Sequence, residues 1–156
     1  MTCILGIDPG VSGALAFYWT QAPGRVVAED MPIANEHISG GLLFDRIKQT
    51  SPDVAIIELV GAMPGQGVSS MFKFGRAYGT AIGVVQALGV PHFFVGPAKW
   101  KKHFGLPADK EAAREMALRR FAHTPEHFSR KKDHGRAEAA LIALYCAEQI
   151  LMEKVA

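Results

Sequence analysis

The sequence lacks the features of disulfide-stabilised, zinc-binding or membrane-spanning proteins. It has only two cysteines, Cys3 and Cys146, far apart in the chain, which excludes a disulfide framework and a cysteine-based zinc site. No apolar run reaches the roughly 18 residues that a transmembrane helix requires. The first residues carry no basic region ahead of an apolar stretch, as a secretion signal would. We therefore expect a cytoplasmic protein without membrane contact.

A strong excess of either charge is also missing. Seventeen lysines and arginines stand against 15 aspartates and glutamates, for a formal net charge of +2. That balance is too small to identify a nucleic-acid partner without knowing how the charges are distributed. A hydrophobic fraction of 49% indicates an ordinary globular chain. Its length predicts one domain over residues 1–156.

The hydrophobic pattern predicts an α/β fold. Apolar runs at 3–7, 54–59 and 90–95 indicate buried strands, and the segments 13–20 and 25–31 indicate two hairpin-linked strands. Residues 32–41 are expected to form a loop. Helices are predicted at 42–48, 68–88, 97–104, 109–121 and 135–154. We expect a mixed five-stranded sheet, its first three strands antiparallel, flanked by helices on both faces.

Small residues crowd the longest predicted helix, among them Gly75, Gly79 and Gly83. Each glycine in a helix costs roughly 1 kcal/mol relative to alanine, so close packing against another backbone is the expected reason for them. Two surfaces could provide that packing. One is the domain's own sheet, and the other is the same helix in a second copy of the chain.

Three acids lie in apolar surroundings. Asp8 ends the first buried strand, Glu58 lies within the run VAIIELV, and Glu138 begins an apolar helix face. A buried charge is costly unless it is paired or binds a metal. His134 and Glu138 share a helix face, and Asp133 joins them if it lies in the first turn. The alternatives are a turn aspartate at Asp8 and a helix cap at Asp133.

Converging carboxylates favour phosphodiester hydrolysis assisted by divalent cations. Two such cations held roughly 3.5–4 Å apart activate the attacking water and stabilise the leaving oxygen. Mg²⁺ prefers carboxylate oxygens, and we expect Mn²⁺ to substitute for it. The sequence offers no histidine or cysteine cluster that would favour zinc.

Basic residues occupy two segments that suit contact with nucleic acid. Three lysines surround Trp100, and His103 and Phe104 follow them, a mixture that suits phosphate contact and base stacking. The alternative is a solvated helix face with Trp100 anchored in the core. A second basic segment immediately precedes the last acid motif. The candidate DNA-binding residues are Lys99, Lys101, Lys102, Lys110, Arg130, Lys131 and Lys132.

Taken in order, these motifs resemble the RuvC-type Holliday-junction resolvases of the RNase H-like superfamily, in a form similar to phage or prophage members. The segment 4–13, ILGIDPGVSG, resembles the family's first strand and turn. Residues 56–58 and 70–79 resemble its second motif and dimer helix, and 137–143 its last motif. Lys99 and Lys110 resemble its pair of basic residues near the scissile phosphate. The resemblance covers nearly the whole chain.

The resemblance implies a crossover junction endodeoxyribonuclease that acts as a homodimer with Mg²⁺ or Mn²⁺ and makes paired nicks across a four-way DNA junction. Asp8, Glu58 and Glu138 would be metal ligands, with either Asp133 or His134 completing the catalytic set. Lys99 and Lys110 would contact phosphate or stabilise charge in the transition state.

The chain departs from the family pattern at three positions. Glu138 stands where the family often has aspartate, and Gly135 stands where it usually has a further acid or histidine. Gly61 replaces an aromatic residue that helps open the junction, and Met63 or Phe72 could take that role. These departures make cleavage of other branched DNA plausible beside four-way junctions.

Three other functions remain as alternatives. An RNA-processing nuclease of the same fold, similar to the YqgF family, would use the same acids. A nucleotide-binding module resembling half of an actin-like ATPase would explain Asp8 and Gly10, but it leaves Glu58 and Glu138 without a role. A DNA-binding scaffold without activity would not need buried acids at all.

Overall fold

The computed structural model describes residues 1–152, which form an α/β domain. In chain order, its regular elements are β1 (Cys3–Asp8), β2 (Ala14–Trp19), β3 (Val27–Asp30), β4 (Ile33–Ala34), β5 (His37–Ile38), α1 (Gly40–Thr50), β6 (Val54–Glu58), α2 (Val68–Ala87), β7 (His92–Val95), α3 (Pro97–His103), α4 (Lys110–Arg120) and α5 (His134–Tyr145). A 3₁₀ turn at Pro125–Phe128 precedes α5, and a π-helical segment at Cys146–Leu151 continues it.

Five of the strands form one mixed sheet in the order β3-β2-β1-β6-β7. The strand pairs β1–β2 and β2–β3 are antiparallel, whereas β1–β6 and β6–β7 are parallel. The predicted fold class, with its antiparallel first three strands, is therefore confirmed. The parallel arrangement brings the carboxyl ends of β1 and β6 to the same edge of the sheet, because Ile7 pairs with Ile57.

Side chains alternate between the two faces of the sheet, and each face has its own hydrophobic core. Ile4, Ala16 and Ile56 pack with apolar residues of α3, α4 and α5 on one face. Leu5, Phe17 and Ile57 pack with α1 and α2 on the other. The helices therefore cover both faces, as predicted.

Helix α5 lies very close to β1, at a point where the strand has no side chain. A Cβ atom added to Gly6 would come within 2.1 Å of the Ala139 carbonyl oxygen. One turn earlier, a Cβ on Gly135 would meet the Ser12 carbonyl oxygen at 2.9 Å. The first half of α5 is thus seated directly on β1 and on the turn that follows it.

Two elements differ from the sequence-based expectation. The predicted loop at 32–41 contains the β4–β5 hairpin, whose turn residues Asn35 and Glu36 have φ values of 51° and 64°. Positive φ at both positions is typical of a two-residue hairpin turn. The sequence Asn-Glu does not predict such a turn, because glycine is the usual second residue. The predicted extension of the last helix to Lys154 lies outside the described residues. No described helix is both long and apolar enough to cross a membrane.

Candidate functional site

Strand periodicity and helix packing bring three carboxylates together. Asp8 continues the row of Ile4 and Gly6 on β1, and Glu58 continues the corresponding row on β6, so both side chains face α5. Glu138 lies on α5 next to the residue that touches Gly6. The three acids predicted from separate motifs therefore meet at one end of the sheet.

The three carboxylates are close enough to share a cation. One ligand oxygen from each of Asp8, Glu58 and Glu138 lies within 4.8 Å of the other two. Carboxylate oxygens are the ligands that Mg²⁺, Mn²⁺ and Ca²⁺ prefer. The donor set therefore fits a hard divalent cation.

Burial and mutual repulsion act strongly on Asp8. Burial is the largest cause, followed by the charges of Glu138 and Glu58 and a side-chain hydrogen bond with Glu138, and together they raise the pKa of Asp8 to about 8. The nearby positive charge of Lys110 acts in the opposite direction. A bound cation would relieve this repulsion, which is a second reason why these residues suit a metal site.

Glu58 has the least solvent-exposed side chain of the three acids and is held by a tryptophan. Its side chain is buried, and its Oε2 accepts a 2.7 Å hydrogen bond from the indole Nε1 of Trp100 on α3. Burial raises the pKa of Glu58, while the Trp100 hydrogen bond lowers it, Glu138 raises it and Lys101 lowers it. The sequence indicated Trp100 only as a stacking or core residue, so its contact with an acid of the carboxylate cluster was not predicted.

The carboxylates lie in an open groove of about 880 Å³. Its walls come from the turn after β1, from the β4–β5 hairpin and from the first half of α2. Besides the three acids and Lys110, the lining residues are Gly10, Val11, Ser12, Gly13, Glu36, Val60, Gly67, Ser69, Ser70, Lys73, Phe74 and Ala77. Lys73 was not singled out from the sequence, although it lies one helical turn after Ser69 and Ser70.

The structure separates the two lysines that were predicted to act as a pair. Lys110 begins α4, whose first turn is capped by the side chain of Asp109, and it lines the groove beside Asp8. Lys99 is exposed and does not line the groove. Lys101 is the α3 lysine whose charge reaches Glu58, and its Nζ lies 5.5 Å from the centre of the Trp100 ring.

Asp133 was predicted as a metal ligand, but the structure does not place it with the other three acids. Its buried Oδ1 accepts hydrogen bonds from Nε and Nη2 of Arg130 at 2.9 and 2.7 Å, and its Oδ2 accepts one from the Arg130 backbone N–H. Burial alone would raise the pKa of Asp133, but these bonds and the charges of Arg130 and Arg136 outweigh it and lower the pKa. Asp133 occupies the N-cap position of α5, but its side chain makes no capping hydrogen bond and instead binds Arg130 in the segment before the helix.

His134 also lies apart from the carboxylate group. It is the first residue of α5 and lies near Glu111 on α4, and within residues 1–152 its buried Nδ1 has no hydrogen-bond partner. The shared helix face of His134 and Glu138 does not by itself bring the imidazole into the cluster.

The other basic residues fall into two groups. The side chains of Lys99, Lys102, Lys131 and Lys132 are exposed and available to a ligand. Arg130 is bound to Asp133, and Trp100 is fully buried, so the expected stacking of Trp100 on a base is excluded by its position in the core. Phe104 is buried as well, and His103 is paired with Glu148.

Three carboxylates at the end of a mixed sheet, covered by a helix on one face, place the chain among α/β proteins with an acidic candidate metal centre. A scan against protein-family models and a search of curated proteins both find no match. Solved structures of similar fold include Holliday-junction resolvases. Thermus thermophilus RuvC in complex with a Holliday junction substrate aligns with a TM-score of 0.73 and 19% identity, covering 97% of this chain and 96% of that one.

Two further resolvases show the same architecture more distantly. Fowlpox virus resolvase, bound to Holliday junction DNA, has a TM-score of 0.57 and 14% identity, with 96% of this chain and 99% of that chain covered. The yeast mitochondrial resolvase Ydc2 has a TM-score of 0.52 and 15% identity, with coverages of 91% and 77%. At these identities the likeness establishes that this chain shares the fold of RuvC, which confirms the predicted resemblance at the level of the fold.

Replacing Asp8 with asparagine should stabilise the metal-free protein. Because the pKa of Asp8 is higher in the folded protein than its ordinary value of 3.8, ionisation of this carboxyl opposes folding. The resulting destabilisation is absent below pH 3.8 and grows as the pH rises towards about 8. Each pKa unit corresponds to about 1.4 kcal/mol, so a discounted gain of about 1–2 kcal/mol in the free energy of unfolding is expected in EDTA near neutral pH.

Urea unfolding in EDTA at neutral and at acidic pH measures this effect, with Asp45→Asn, an exposed acid on α1, as the control. The gain should shrink at acidic pH. An Asp8→Asn protein that is less stable than the native protein at neutral pH would contradict the account of repulsion.

Replacing Asp133 with asparagine should have the opposite effect on stability. The substitution leaves Arg130 without its buried partner, and a cost of about 1–3 kcal/mol is expected because Arg130 itself is half exposed. Since the folded-state pKa of Asp133 is lowered, this stabilisation is lost as the pH falls. Calorimetric titration with Mn²⁺ should give an unchanged affinity. A large loss of affinity at unchanged stability would instead make Asp133 a ligand.

Proposed function

We propose that the chain is a metal-dependent endonuclease that cuts phosphodiester bonds in branched DNA, and in four-way junctions above all. The observation that carries the proposal is the convergence of Asp8, Glu58 and Glu138 in an open groove with Lys110 beside them. The resolvase fold supports it, since two of the similar structures hold Holliday junction DNA.

The groove's own residues suit a phosphodiester substrate. Asp8, Glu58 and Glu138 would hold the divalent ions, Mg²⁺ in the first place with Mn²⁺ as a substitute. Bound in a pair, such ions supply an activated water and neutralise the leaving oxygen. Lys110 carries a positive charge to the groove, where it would stabilise charge developing on the phosphate.

The remaining walls of the groove would position the DNA backbone. Ser69, Ser70 and Lys73 lie along the first turns of α2 and line the same groove as the acids. Hydroxyls and ammonium groups of this kind bind phosphate oxygens without reading sequence. Lys101, near Glu58, and the exposed Lys131 and Lys132 would provide further phosphate contacts.

A homodimer forms part of the proposal. Helix α2 packs on its own sheet through Ala77, Ala81 and Val85, so that packing does not use its glycines. A Cβ added to Gly75, Gly79 or Gly83 would meet no atom within 4 Å. These glycines follow one another at four-residue intervals on the exposed side of α2, where the same helix of a second copy could approach closely.

Cleavage assays on a substrate panel test the proposed function. The panel comprises a labelled four-way junction, a Y-fork, linear duplex DNA, an RNA–DNA hybrid and structured RNA, each with Mg²⁺, Mn²⁺ or EDTA. We expect paired, symmetric nicks on the junction, as two active sites in a dimer would make, and none in EDTA. Glu58→Gln should slow cleavage by at least about 100-fold, because it removes a ligand charge.

The control is Glu115→Gln, which makes the same chemical change on the exposed side of α4. Cutting of forks as well as junctions would indicate a broader branched-DNA nuclease, as Gly61 suggests. Cutting of RNA alone would favour the RNA-processing alternative. Metal-independent cleavage, or no cleavage of any nucleic acid, would contradict the proposal.

A further inference from the structure

Trp100 makes a polar contact that hydrophobic packing does not require. Its ring is fully buried in the core between the sheet and helices α3, α4 and α5. Its one polar atom, Nε1, donates a 2.7 Å hydrogen bond to Glu58 Oε2 across 42 residues of sequence. Phenylalanine or leucine would fill such a position without bringing a donor to an active-site acid.

The chemistry of the donor is well matched to a carboxylate that must also bind a cation. An indole N–H is neutral at every accessible pH, so it fixes the carboxylate without contributing a positive charge that would compete with a metal ion. The indole nitrogen has no lone pair available to a metal ion, and it does not act as an acid or a base. It can therefore act on Glu58 only through orientation and hydrogen bonding.

The contact also limits how Glu58 can move. With Oε2 bound to Trp100, the carboxylate of Glu58 cannot turn freely about its last bond, so its orientation towards the neighbouring Asp8 and Glu138 is restricted. Trp100 itself is immobilised by the core, and Lys101 lies over its ring at 5.5 Å. Helix α3 thus links the packed interior to the carboxylate group.

We propose that Trp100 is a positioning residue that holds Glu58 in its cation-binding orientation through the indole N–H. The inference rests on the proposed function, since it assumes that the three carboxylates bind a divalent ion. Residues that orient metal ligands typically change metal affinity by about 10–100-fold when they are replaced. Trp100 should therefore determine how tightly the ion is held, while the carboxylates would bind the ion and Lys110 would stabilise charge on the phosphate.

The first experiment compares metal affinity in Trp100→Phe and in Trp19→Phe, the matched control. The sequence has two tryptophans, and Trp19 lies at the end of β2 against the other core. Titration calorimetry with Mn²⁺ should show affinity weakened roughly 10-fold in Trp100→Phe and unchanged in Trp19→Phe. Junction cleavage should need correspondingly more Mn²⁺ to reach its plateau and should recover most of the native rate there, which a merely damaged fold would not do.

A second measurement does not depend on the stability of Trp100→Phe. In the Trp19→Phe protein, Trp100 is the sole tryptophan, so its emission reports the state of Glu58. Titration with diamagnetic Mg²⁺ should shift the emission maximum, saturating at the concentrations that calorimetry gives. The shift should be lost in Trp19→Phe combined with Glu58→Gln.

The outcomes separate this inference from the proposed function. A folded Trp100→Phe with native Mn²⁺ affinity, or Mg²⁺ binding that leaves Trp100 emission unchanged, would overturn the positioning role alone. Weakened Mn²⁺ binding in Trp100→Phe, together with a native protein that cuts no nucleic acid, would support the positioning role and contradict the proposed nuclease function. Failure of the native protein to bind either ion would overturn both.

Discussion

The backbone contact between α5 and β1 at Gly6 is the feature on which the site depends. A Cβ atom added to Gly6 would lie 2.1 Å from the Ala139 carbonyl oxygen, so any side chain there would push the helix outward. Glu138 is the neighbour of Ala139 and would move with it. The ends of β1 and β6 supply Asp8 and Glu58 by strand pairing alone, but the third carboxylate reaches them only because a helix can lie this close to the sheet.

That closeness gathers like charges at partly buried positions of the groove, which opposes folding. The raised pKa of Asp8 expresses this cost directly. Two well-packed cores on either side of the sheet offset this cost. Sites that store unfavourable interactions in this way commonly trade stability for function.

Periodicity and motif spacing were sufficient to predict the sheet, its helices and the three converging acids, because each depends on local pattern or on the order of strands. The sequence could not predict which side chains of a helix face the site, because that depends on how the helix is rotated about its axis. Lys99 and Lys101 are two residues apart and so point to different sides of α3. Lys101 lies near Glu58, whereas Lys99 does not line the groove, and its role beside the phosphate stays a prediction. Asp133 found its partner three residues earlier in the chain, while the Trp100–Glu58 bond joins elements that only tertiary packing brings together.

The most direct test of the account is a crystal structure of the protein soaked in Mn²⁺, with data collected at a wavelength where manganese scatters anomalously. We expect anomalous density among Asp8, Glu58 and Glu138, none at Asp133, and Trp100 still hydrogen-bonded to Glu58. Manganese bound elsewhere, with the three carboxylates free of metal, would contradict the claim that they form the cation site.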